Sequence, residues 1–276
     1  MTRTKHDAWG EKYVCCWDLT ALELGAKGLS PADRKGNGGG SRFPLRALRY
    51  WFMYQLILRE FETRQRPLAV CEIGMGTGEM LAFLRAGATD RRPWSTIIGR
   101  WDGLGLGIDR ALMAARGYSQ CVEQNLEGPA LKLAQRYDVI VFLHVLEHLR
   151  DPEACLARTL VFLTDGGVCI GGSPGIPHVL VRYRERQLRR AAQPFGHISA
   201  FSPRRVKALA TRNGLIVEFL SGAYLMRNTG SVLENYGWWI RLNLAFGAVV
   251  PGWPGELYWA LRKPFPVLPN STEDSA

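Results

Sequence analysis

The run Glu72-Ile73-Gly74-Met75-Gly76-Thr77-Gly78 places one carboxylate and three glycines between an apolar stretch, LAVCEI (68–73), and a helical pattern, EMLAFLRAG (79–87). Where a strand turns sharply into a helix, a Cβ would block a ligand or oppose a positive φ, so glycine is used. Dinucleotide-binding proteins use such turns too. Their G-x-G-x-x-G pattern requires glycine at position 79, where this chain carries Glu79. Glu72, two residues before the first glycine, is equally foreign to a phosphate loop, and no G-K-[ST] is present. The implied ligand has no phosphate at this turn and offers amino groups and hydroxyls for carboxylates to accept. A second acid fits that ligand. In LGLGIDRALMAARGY, Asp109 ends an apolar run just before a helical pattern. A carboxylate at such a strand end accepts both ribose hydroxyls. A lone Asp there is otherwise a helix cap. Taken with the glycine turn, Asp109 is read as a ribose ligand.

Histidines form the second set. His144, Glu147 and His148 stand at i, i+3 and i+4, and would share a helix face if a helix begins early. One carboxylate and two imidazoles can bind zinc or iron. The expectation is structural instead, with Glu147 and His148 bonded to neighbouring loops, and no metal is assigned. His197 follows Phe195-Gly196 in a loop expected to approach the mouth of the site. A neutral imidazole there can take a proton from a substrate hydroxyl. His197 is the first candidate catalytic residue and His148 the second.

These groups must be positioned by the elements around them. Strand patterns fall at LAVCEI (68–73), LGLGI (104–108), YSQCV (118–122), DVIVFL (138–143), GVCIGG (167–172), LIVEFL (215–220) and LYWAL (257–261). Helical patterns begin near Gly78, Ala111, Pro129, Glu147 and Pro203, and an earlier one spans 44–62. The alternation predicts an α/β protein, a parallel sheet covered by helices on both faces. Residues 1–45 are polar and mixed and include GNGGG (36–40), which is expected to be loop, and the tail PNSTEDSA reads as disordered.

A chain of 276 residues with 47% hydrophobic content suits one large α/β domain. Its six cysteines show no metal-ligand spacing and suggest reduced thiols in a cytoplasmic protein. No stretch approaches the ~18 apolar residues of a membrane span. The net charge of +10 favours acidic partners. Between residues 178 and 213 there are nine Arg or Lys and one acid, Glu185.

With Glu72 to Gly78 and Asp109 in place, the segment YDVIVFLHVLEHLRDPEACLARTLVFLTDGGVCIGGSP (137–174) completes a resemblance to class I S-adenosylmethionine-dependent methyltransferases. The LEH-x-x-DP run is similar to that of the ubiquinone-type small-molecule methyltransferases. The resemblance covers about residues 68–264. It implies a Rossmann-like seven-stranded, mostly parallel sheet with an antiparallel last strand. It also implies an N-terminal extension and helix at 1–67, a lid-like insertion at 222–254 and a tail at 265–276. The cofactor implied is S-adenosylmethionine. Gly74, Met75, Gly76 and Gly78 would line its methionine portion, and Glu72 would orient that loop or the amino group. Asp109 would bind ribose, Arg110 would lie beside the adenine, Asn125 and Leu126 would meet the adenine amino group, and His144 would lie near the methionine chain. Arg46, in RFPLRALRYW, resembles an arginine that meets the cofactor carboxylate. The segment TDRRPWSTIIGRWDG (89–103) reads as an inserted loop.

The expected function is methylation of a small molecule, anionic or lipid- or nucleotide-linked and thus phosphorylated in some forms. Two rivals are a nucleic-acid methyltransferase and a nucleotide-binding protein without catalysis. Nucleic acid is disfavoured, because His144-Val145-Leu146-Glu147 stands where amino-methylating DNA enzymes carry a D/N/S-P-P-aromatic motif and cytosine C5 enzymes a Pro-Cys nucleophile. The Trp-rich stretch 237–259 is read as part of a lid over a partly apolar substrate, with a structural cap and peripheral membrane contact as its alternatives.

Overall fold

The computed structural model describes residues 14–31, 40–191, 196–226 and 229–266. Most of GNGGG and of the terminal tail lies outside them. Seven strands run at Leu68–Ile73 (β1), Ile98–Gly105 (β2), Gln120–Glu123 (β3), Tyr137–Leu143 (β4), Leu163–Gly175 (β5), Ile216–Gly222 (β6) and Gly255–Arg262 (β7). They form one sheet in the order β3-β2-β1-β4-β5-β7-β6, with β7 antiparallel to both neighbours and all other pairs parallel. The Rossmann-like sheet with an antiparallel last strand is therefore as expected.

The helices are Thr20–Gly28 (α1), Leu48–Arg64 (α2), Glu79–Gly87 (α3), the single turn Trp94–Ile97 (α4), Arg110–Arg116 (α5), Pro152–Leu160 (α6), Val181–Arg190 (α7), Pro203–Arg212 (α8) and Gly237–Val249 (α9). Side chains alternate across a strand, so each central strand feeds two cores. Val70, Val139, Val141 and Ile170 join α1, α2, α3 and α9 on one face. Cys71, Ile73, Ile140 and Phe142 join α6 and α8 on the other. All six cysteines are free thiols. Among the described residues, no helix is long and apolar enough to cross a membrane.

Four expectations are corrected. The supposed insertion at 89–103 contains most of β2, which pairs with β1 from Ala69↔Arg100 to Ile73↔Leu104. Its charges hid the strand, but Arg100 and Asp102 lie on one face and pair with each other at 2.7 Å. No helix forms near Pro129, because the Gln124 side chain bonds the backbone there, donating to Ala130 O and accepting from Lys132 N. The helix expected near Glu147 starts at Pro152, where Asp151 accepts from Ala154 N; Leu146–His148 is a 3-10 turn. Finally, α1 lies within the stretch read as polar, and buries Ala21, Leu22 and Ala26.

The Trp-rich stretch divides. In α9, Trp239, Ile240 and Leu244 enter the core, while Trp238 is 58% exposed and Trp239 only 8%. Trp239→Ala should lower unfolding free energy by about 3–5 kcal/mol. Trp238→Ala should stay within about 0.5 kcal/mol in the same urea titration. Equal losses at the two positions would show that α9 does not pack by this face.

Candidate active site

In an open parallel sheet, ligands bind outside the carboxyl ends of the strands where the order reverses. Here the reversal lies between β1 and β4, and a cavity of about 350 Å³ opens there. Its walls include Glu72, Gly74, Met75, Gly76 and His144, five of the residues expected to meet cofactor. Gly78, Asp109, Arg110, Asn125, Leu126, His148 and His197 are not among its lining residues.

The turn after β1 holds Gly74, Gly76 and Gly78 at φ +73°, +54° and +73°. Gly74 N donates to Leu104 O at 2.6 Å, which ties the loop to β2. A Cβ on Gly76 would meet no atom within 4 Å, so the loop presents bare backbone to open space. Beneath the loop lies Glu72, whose Oε2 accepts from Tyr118 OH (2.6 Å) and Trp101 Nε1 (3.1 Å). Burial pushes the Glu72 carboxyl up to about 7, although both hydrogen bonds pull it down.

Arg49 and Tyr50, at the start of α2, form the facing wall. The Arg49 guanidinium lies over the Tyr50 ring at 4.8 Å, and Tyr50 OH donates to Glu79 Oε2 at 2.7 Å. Arg46, the arginine expected to meet the cofactor carboxylate, lies one turn earlier and does not line the cavity. Arg49 went unnoticed because it sits inside an apolar helical pattern. A cation within such a stripe was the available signal.

His144 follows β4 with φ +55°, a conformation L residues rarely adopt. Its Nδ1 lies 3.1 Å from Glu147 Oε1 and its Nε2 3.6 Å from Glu256 Oε2. Glu256 also accepts from Tyr258 OH. Burial lowers the pKa of His144, but the two carboxylates more than reverse this and raise it to about 9. The imidazolium is the stable form at neutral pH. Glu256 and Tyr258, from β7, escaped sequence reasoning because they lie more than a hundred residues from His144.

The remaining candidates lie outside the lining of this cavity. Asp109 is exposed and caps α5 through Leu112 N at 2.9 Å. Arg110 donates to Cys121 O, and Asn125 Oδ1 accepts from Glu127 N. Leu126 is buried, and its carbonyl accepts from Arg158. His148 Nδ1 lies 3.3 Å from Gly196 O, and the Glu147 carbonyl accepts from Ile198 N and Ser199 N. The two residues thus hold the loop that carries His197. The His148 and His197 rings meet edge to face at 4.8 Å. One ligand atom from each of Glu147, His148 and His197 lies within 4.8 Å of the others, a grouping that could hold a metal ion. Burial keeps the pKa of His197 below the ordinary value; Glu147 opposes this, and His148, His144 and Arg184 add to it.

Sheet order, glycine turn and cavity together define the class I methyltransferase architecture. Residues 45–218 match the family described as methyltransferase domain, and the chain belongs to that family. It is an enzyme whose methyl donor is S-adenosylmethionine. Solved structures agree on the fold. An S-adenosylmethionine-dependent methyltransferase from Mesorhizobium loti superposes with TM-score 0.52 at 15% identity, covering 79% of this chain and 99% of its own. The Haloferax volcanii protein solved in complex with the Trm112 methyltransferase activator gives 0.51 at 18%, covering 90% and 98%. The YcgJ protein of Bacillus subtilis gives 0.50 at 14%, covering 78% and 100%. No curated protein matches the sequence.

The cavity suits the amino-acid end of this donor. A guanidinium for a carboxylate, carboxylates for an ammonium and bare backbone at Gly76 face one space. Glu72 also gives the apoprotein a pH signature. Its folded pKa is raised, so its contribution is full below the unfolded value of 4.5 and is lost as pH rises through about 7. Stability should therefore fall between these values by an amount of order 3 kcal/mol. Glu72→Gln should flatten that decline in denaturation curves taken across the window. An unchanged slope would show that Glu72 ionises freely.

Proposed function

We propose that the acceptor is an anionic small molecule, lipid- or nucleotide-linked, methylated on oxygen or nitrogen in a biosynthetic pathway. The observation that carries this reading is α7, with Arg182, Arg184, Arg186, Arg189 and Arg190 all exposed, placed directly after the carboxyl end of β5. Arginine forks hold phosphate and carboxylate in a planar, bidentate way. Helix α7 is docked beside His197. Glu185 accepts from Ala200 N and pairs with Arg205 at 2.6 Å, and Ile176 N donates to Phe201 O. The LEH-x-x-DP run, as in ubiquinone-type enzymes, favours the same class of acceptor.

In this reading Arg49 pairs with the donor's carboxylate, and Glu72 with the loop or the amino group. Gly74, Met75, Gly76 and Gly78 leave room for the methionine chain. Asp109 accepts from ribose while capping α5, and Arg110, Asn125 and Leu126 border the adenine. S-adenosylmethionine supplies a methyl group on a positively charged sulfur, so alignment with the acceptor provides much of the rate. His197, neutral at pH 7, takes the acceptor's proton, and His148 positions it. The N-terminal extension and the 222–254 insertion wall the acceptor side together. Tyr224 OH donates to Leu45 O, and Phe43 N to Glu234 O.

Titration calorimetry with S-adenosylmethionine tests the donor site. Asp109→Ala should weaken binding by about 1.5–3 kcal/mol through lost charged-acceptor bonds. Gly76→Val should abolish binding while the fold persists, since its side chain enters the cavity and opposes φ +54°. Wild-type affinity in either variant would remove that residue from the site.

The acceptor is tested with donor labelled in the methyl group and cell extract divided by anion exchange. Label should enter the retained fraction. Label confined to the unretained neutral fraction would overturn the anionic assignment.

A further inference from the structure

The outer surface of α7 carries more than the arginines that an anionic acceptor would use. On a helix, residues at i, i+3 and i+7 share a face, and Tyr183, Arg186 and Arg190 do so on the side away from buried Val181. Tyr183 is 62% exposed. The turn that leads into the helix, His178–Leu180, adds Val179 at 85% and Leu180 at 48% exposure. The helix's single acid, Glu185, is turned inward to Arg205 and Ala200 N, so it does not offset the arginines outside. A surface selected only for solvation has no use for two aliphatic side chains and a tyrosine at the leading end of the helix. Together they form the pattern of an interfacial element: aliphatic and aromatic groups to enter the headgroup boundary, ringed by cations.

We propose that the outer face of α7 and the turn before it dock on an anionic lipid surface. Charge complementarity selects the occupant, because five arginines on one short helix match a layer of phosphates. The aliphatic pair Val179 and Leu180 decides between lipid and nucleic acid. Neither side chain can stack on a base, whereas both gain by leaving water for the acyl boundary. Because α7 follows β5 at the edge of the sheet that bears the cavity, docking turns that edge toward the bilayer. A lipid-linked acceptor would then reach the site without leaving the membrane. The docking itself holds whichever acceptor is methylated.

The test uses the full-length protein, sedimented with phosphatidylglycerol-rich and with pure phosphatidylcholine vesicles. Binding to the first at low salt, its loss in high salt and its absence with the second are expected. Arg182→Gln, Arg186→Gln and Arg190→Gln together should lower the partition coefficient about a hundredfold, at roughly fivefold per arginine. Val179→Ser, Leu180→Ser and Tyr183→Ser together should lower it by roughly tenfold or more while leaving the salt dependence in place.

Circular dichroism and S-adenosylmethionine titration of both triple variants should match wild type, because none of these residues lines the cavity. Wild type left in the supernatant at low salt overturns the proposal, and so does indifference of binding to the arginine triple variant. Release by inorganic phosphate at constant ionic strength would identify a free-phosphate site instead. Tighter binding to a single-stranded RNA homopolymer than to the vesicles would overturn it in favour of nucleic acid. Donor binding that survives in a protein indifferent to vesicles would sink the docking alone and leave the methyltransferase reading standing.

Discussion

At the point where the sheet reverses its strand order, the chain passes from β1 to α3 in five residues, and the rest of the site follows from that turn. Three left-handed glycines make it sterically possible. They do not hold it in place. Gly74 is tied to Leu104 O, and Met75 folds back over β2 so closely that a Cβ on Gly103 would stand 2.1 Å from its sulfur. Trp101 and Tyr118 complete the support by donating to Glu72 beneath the loop. The loop therefore dictates the composition of its neighbours: glycine at 103, donors at 101 and 118, and a carboxylate at 72 to receive them.

Glu72 is one of several buried or half-buried ionisable groups around the cavity, and their arrangement follows the elements that carry them. Glu72 and Glu79 flank the glycine loop, and Arg49, on α2, lines the same cavity and is linked to Glu79 through Tyr50. The imidazolium of His144, between Glu147 and Glu256, closes the β4 side. A left-handed residue other than glycine costs about 1–3 kcal/mol and persists only where its surroundings impose it. Here His144 N donates to Gly172 O, so pairing with β5 continues while the side chain swings between the two acids. The cost is spent on aim, because an extended residue 144 would direct its ring differently.

Much of this was legible in the sequence where one element carries the signal. The glycine turn announced itself, since few other structures need Glu-x-Gly-x-Gly-x-Gly between an apolar run and a helix. All seven strands were marked by apolar runs, with β2 displaced toward its carboxyl end. That displacement has a cause: Arg100, itself partly exposed, neutralises buried Asp102 across one face, and Tyr137 OH donates to Asp102, so the sheet accommodates a buried acid. Long-range pairs were not legible. Nothing local to Glu256 or Tyr258 shows that β7 returns beside β5, within reach of His144 after β4, and nothing separates Arg46 from Arg49 except which of them lines the cavity. His148 differed, because its neighbour Glu147 already implied a loop-holding role.

The antiparallel seventh strand resolves a conflict between the two edges of the sheet. At the edge opposite the cavity, charges are tightly paired: Arg66 grips Asp138 through both oxygens, and Arg262 spans Glu60 and Glu218. The Arg66 and Arg64 guanidinium groups hold the Asp138 carboxyl below its usual value against the opposing effect of burial. Such pairs resist breaking, because removing one partner strands a buried charge. The cavity edge needs the reverse, charged groups turned toward a space that a zwitterionic ligand enters. Strand β7 serves both edges because it runs against its neighbours. Its first residues bring Glu256 and Tyr258 to His144, and its last brings Arg262 to the closed network. In a parallel seventh strand these ends would be exchanged, placing the arginine beside an imidazolium and the acid among acids.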